Sequence, residues 1–74
     1  MTVKQIRNLC EAEPFEPFVI FLSDGRNFSI PHPEFVGFSE RSRMVTVHEV
    51  GGASEIIDPD LVTSLRLPAS QGMD

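Results

Sequence analysis

The chain has 74 residues, eleven Asp/Glu against six Lys/Arg for a formal charge of −5, one Cys, six Phe and neither Trp nor Tyr. That length holds one small domain and excludes a nucleotide-binding α/β domain or a two-lobed active site. The lone Cys10 excludes disulfide staples and a zinc ribbon, and the acidic balance opposes nonspecific nucleic-acid binding, whose affinity comes mostly from neutralised phosphates.

Thr2 and Gln5 have the spacing of a capping box. Val3, Ile6 and Cys10, with Leu9 beside them, recur at helical spacing and predict one short amphipathic helix over about residues 2–12. It ends before Pro14, because the residue preceding a proline avoids the helical region. Phe18–Leu22 is apolar on both faces, as in a strand enclosed between a sheet and a covering element, and the helix is the expected cover. Asp24-Gly25 between apolar runs predicts a hairpin whose two central residues take positive φ. Asn27–Ile30 alternates as its return strand.

Pro31-His32-Pro33 removes two ladder donors and reads as an edge, a bulge or a corner. Extended structure resumes over Glu34–Ser39, followed by a polar turn at Glu40–Arg43 and a β-branched strand over Met44–Val50. Gly51-Gly52 is a turn, Ser54–Asp58 a short strand, Asp58-Pro59-Asp60 a tight turn and Leu61–Leu67 the closing strand. Residues 68–74 lack apolar periodicity and read as a flexible tail. No internal repeat is expected.

Strands this short cannot leave a flat sheet with open edges. The expected fold is therefore mainly β (α+β by content), a short N-terminal helix followed by a small five-stranded antiparallel barrel of Sm-like or SH3-like type. It forms a single domain over residues 1–67, with strands from about residue 17. The longest apolar run is Phe18–Leu22, too short to span a membrane, and the N-terminus lacks the basic and apolar regions of a secretory signal. A soluble cytoplasmic protein is the expectation.

Two resemblances accompany this reading. Pro14-Phe15-Glu16-Pro17-Phe18, Asp24-Gly25-Arg26 and His32-Pro33-Glu34-Phe35, with Ile57-Asp58 to Val62-Thr63, resemble motifs of a set of short bacterial proteins. That set brings no established activity. The order of elements also resembles the Sm-like fold of the Hfq family of bacterial RNA chaperones, which implies a ring built by strand pairing between subunits. Where that family carries Tyr-Lys-His, this chain has Asp58, Pro59 and Asp60, so the resemblance implies a ring without the RNA contacts.

Arg26, Arg41 and Arg43 are the basic residues that could converge, both segments being turns of one barrel. Such a patch would contact a phosphate or an acidic partner surface; solvated turn charge is the alternative. The corner His32, Pro33, Glu34 and Phe35 is a second candidate interaction surface, since two prolines hold it rigid at little ordering cost. His32, His48 and Cys10 have no metal-ligand spacing, so neither a metal nor another cofactor is expected. Cys10, near the C-terminal end of its helix beside Glu11 and Glu13, reads as a packing thiol. Asp24, Asp58 and Asp60 fall at turns, where such side chains bond their own backbone. The expected function is a non-enzymatic small-barrel interaction module, self-associating through strand edges or binding another protein. The alternative is an Sm-like RNA-binding protein using the arginine patch.

Overall fold

A computed structural model describes residues 3–41 and 43–68. The elements in chain order are helix α1 (Val3–Glu11), strands β1 (Phe18–Leu22) and β2 (Asn27–Ile30), and a 3-10 turn η1 (Pro33–Phe35). Strands β3 (Val36–Phe38), β4 (Val45–His48) and β5 (Ser54–Ile57) follow, then a second 3-10 turn η2 (Pro59–Leu61) and β6 (Val62–Arg66). Thr2 of the expected capping box and residues 69–74 of the expected tail lie outside the described residues.

The protein is mainly β, but the five-stranded Sm-like or SH3-like barrel does not form. The six strands among the described residues make two separate three-stranded antiparallel sheets, β2-β1-β6 and β3-β4-β5, and no strand pairing joins them. The reason lies at Pro33 and Pro59. A small barrel needs strands that bend through its corners while staying in the ladder. Here each proline opens a 3-10 turn that interrupts the ladder and carries the chain to the other sheet. Thus η1 takes the chain from β2 to β3, and η2 returns it from β5 to β6.

This exchange exposes an internal repeat that the sequence reading did not expect. β1-β2-η1-β3 and β4-β5-η2-β6 are the same unit twice, and each unit contributes its third strand to the other's sheet. The hairpins match at an offset of 27 residues: Phe18 faces Ile30 as Val45 faces Ile57, and Ile20 faces Phe28 as Val47 faces Glu55. The turns match too. The Leu22 N–H donates to the Arg26 carbonyl and the Gly25 N–H to Leu22, as Glu49 does to Ala53 and Gly52 to Glu49. Gly25 and Gly52 both take positive φ, +94° and +100°, while Asp24 does not. The first turn is therefore a tight turn closed by one left-handed glycine, rather than two positive-φ residues.

Pro31 shortens the offset by one beyond β2. The 3-10 turns then coincide, with the Phe35 N–H on the His32 carbonyl and the Leu61 N–H on that of Asp58. The third strands differ in register: Val36 faces Val47, whereas Val62 faces Leu22.

The core lies between the sheets and repeats accordingly. Phe18, Ile20, Ile30 and Val36 are buried, as are Val45, Val47, Ile57 and Val62. Phe28, Leu22 and Ile6 complete the buried set, with Ile6 fully enclosed. A helix of nine residues has too few turns to persist alone, so α1 depends on this contact. It packs beside η1, and the Arg7 guanidinium lies 4.5 Å over the Phe38 ring. Ile6 belongs to the same buried cluster as Phe18 and Ile20, while Val19 and Phe21 alternate to the opposite face of β1 and are only half-buried.

Candidate functional site

Of the three arginines that could converge, Arg26 and Arg43 are bonded to carboxylates of this chain. Arg26 follows the left-handed Gly25 and is held by two carboxylates. Its Nε lies 2.8 Å from Asp24 Oδ2 and its Nη1 2.5 Å from Glu55 Oε2 on β5. Arg43, at the approach to β4, bonds Asp60 and lies 3.4 Å from Asp58 Oδ1, both beside η2. Arg41 is exposed, and its backbone N–H donates to Ser39 Oγ at 3.2 Å. Arg26 and Arg43 therefore answer separate carboxylate sets, and most of their charge is matched within the chain.

Asp24 and Asp58 hold their turns as expected, each accepting a backbone N–H two residues on, from Arg26 at 3.0 Å and from Asp60 at 2.9 Å. The Arg26 backbone N–H holds the Asp24 carboxyl below the ordinary carboxylate range, and the guanidinium adds to this. The Arg26 guanidinium is raised in turn, by Asp24 first and then Glu55.

The second candidate surface is η1. His32, Pro33 and Glu34 are exposed and Phe35 is partly buried against the core. The His32 ring lies 6.0 Å from the Phe35 ring, and its backbone carbonyl, not the imidazole, closes the turn. His48 stands apart on β4, with Nδ1 3.0 Å from Ser54 Oγ across the strand pair. Among the described residues no three His, Cys, Asp or Glu side chains gather as a metal-ligand set. Cys10 is half-buried, and burial followed by the neighbouring Glu11 raises its thiol pKa, the opposite of what a nucleophile needs.

A further site was missed from the sequence. At the end of the first sheet an open apolar hollow of about 320 Å³ lies over the cross-strand row Ser29, Val19, Arg66. Pro17, Pro31, Leu67 and Pro68 wall it, and no His, Cys, Asp or Glu lines it. Its members come from β1, β2, the end of β6 and the chain flanking these strands, so only the sheet order brings them together. The two-sided apolarity of β1 was the one available signal. Arg66 is exposed and no described carboxylate pairs with it. Among the described residues no helix is long and apolar enough to cross a membrane. No family model, curated protein or solved structure matches the chain.

Proposed function

We propose that the protein is a non-enzymatic interaction module, cytoplasmic and of the short bacterial type its Pro-Phe and His-Pro-Glu-Phe motifs resemble, which self-associates through the strand edges of its first sheet. The observation that supports this reading is the apolar hollow between the ends of the edge strands β2 and β6. Apolar surface left open beside unpaired strand edges favours another protein surface over solvent. The hollow is lined by no His, Cys, Asp or Glu that would activate Ser29, and its volume is at the bottom of the range for small-molecule sites. An open site of that size encloses a side chain better than a free ligand. The RNA alternative is the less favoured reading, because Arg26 and Arg43 each lie against carboxylates of this chain.

Light scattering on the purified protein from about 10 µM to about 1 mM tests the reading, a range set by the modest size of the contact. A mass that rises above the 8.2 kDa of one chain supports it. A constant 8.2 kDa throughout that range refutes it.

A further inference from the structure

The hollow has a counterpart that shares Ser29 of β2 with it. Val50, at the tip of the β4–β5 turn, is 85% exposed, more than Ile56, Leu61 or Leu67. The turn is held by the Glu49–Gly52 and Glu49–Ala53 backbone bonds and carries left-handed Gly51 and Gly52, so Val50 stands on a defined projection. Glu49, beside it, is exposed and pairs with no described cation. The chain thus presents an apolar side chain next to a free carboxylate, and an apolar hollow next to a free guanidinium.

Their placement decides the geometry. Val50 and Glu49 border a small cleft whose other wall is Asn27, Phe28 and Ser29 of β2. Ser29 also lines the hollow. Knob and hole therefore sit on either side of one edge strand. When both halves of a contact adjoin one edge strand, a twofold axis beside that strand relates each knob to the partner's hole, giving a closed, self-complementary pair rather than an open chain.

From these features we infer that the partner is a second copy of this chain, seated with Val50 in the hollow over Val19 and with Glu49 against Arg66, twice across a twofold axis beside β2. This inference rests on the self-association reading and specifies its interface. The net charge of −5 opposes a second copy over most of the surface, and what selects it here is local complementarity: the chain carries Glu49 beside the knob and Arg66 beside the hole, opposite charges with no described partner of their own. Burying an exposed valine in a pocket lined by prolines and aliphatics provides the apolar centre that interfaces need. The residues around hollow and cleft are roughly a dozen a side, against about 20–30 in a stable interface. The dimer is accordingly a weak one.

Sedimentation equilibrium of the full chain, wild type beside Val50→Asp, Glu49→Arg, Arg66→Glu and the double charge reversal, tests the interface. All three positions are exposed, and circular dichroism checks that each variant stays folded. The expected result is a wild-type dimer whose association weakens by about tenfold or more in Val50→Asp and in each single reversal, with recovery in the double reversal. A wild-type dimer indifferent to Val50→Asp, or a double reversal no better than the singles, overturns this interface while leaving self-association standing. A wild type that stays monomeric overturns both.

Discussion

Arg26 in the first hairpin turn donates from Nη1 to Oε2 of Glu55 on β5, 2.5 Å away, and so ties the turn of one sheet to the edge of the other. Glu55 holds the place in the second unit that Phe28 holds in the first, and the Arg26 guanidinium also lies 6.0 Å from the Phe28 ring centroid. One side chain spans a position where the two units differ in chemistry. Both side chains are partly exposed, so the pair is screened by salt. Glu55→Gln is expected to lower Tm slightly in dilute buffer and not at all in about 1 M salt. Thermal melts at the two salt concentrations check this; an equal loss in both contradicts it.

Asp24 gives the pH dependence a sign. Its carboxyl is held below the ordinary range in the folded protein, first by the Arg26 backbone N–H. A group whose folded pKa is depressed contributes stability that is present above its unfolded pKa and lost as pH falls through the folded one. The Tm advantage of wild type over Asp24→Asn should therefore be present at neutral pH and fade in acid. An advantage independent of pH would show that the carboxylate charge contributes nothing.

The repeat predicts that equivalent turns respond alike. Gly25 and Gly52 take positive φ with open space around them, so an added Cβ meets no neighbour and the cost is backbone strain alone. Gly25→Ala and Gly52→Ala should each destabilise by about 1–2 kcal/mol. Gly37 on β3 is a useful contrast. A Cβ there would meet Thr46 Cβ at 3.7 Å, an ordinary contact, so Gly37→Ala should be close to neutral. Urea denaturation of the three variants separates these cases.

Equivalence extends to the core. Ile30 and Ile57 end the matching strands β2 and β5, are 0% and 2% exposed, and face Phe18 and Val45. Removing one methylene from each, in Ile30→Val and Ile57→Val, should cost about 0.5–1.5 kcal/mol in both. Chemical denaturation showing a cost at one site and none at the other would mean that the two halves of the core are packed differently.

What was legible in the sequence was local. Phe18–Leu22 forms β1 as expected, Asn27–Ile30 forms β2, and Asp24-Gly25 makes their turn, because hydrophobic pattern and turn chemistry act over a few residues. The architecture was not legible, since nothing in a strand's composition says which sheet it joins. Pro33 and Pro59 read correctly as interruptions, but not as the points where the chain changes sheet. The repeat was hidden because the aligned units share few identities, among them Gly25 with Gly52 and Pro33 with Pro59, and because Pro31 breaks the period. The arginines were read by charge alone. Charge alone did not show that Arg26 would bond Asp24 and Glu55, and Arg43 bond Asp58 and Asp60, because three of those four carboxylates are distant in sequence from the arginine they meet. The hollow drew residues from three strands and was invisible before the sheet order was known.

Association of the intact chain, read against the variant that removes its apolar knob, is the most direct test of this account. Sedimentation equilibrium of wild type and Val50→Asp, side by side up to about 1 mM, measures it. The expected result is a wild-type mass that climbs from 8.2 kDa toward twice that value, while Val50→Asp stays at or near 8.2 kDa. A wild-type mass fixed at 8.2 kDa over the whole range would contradict it.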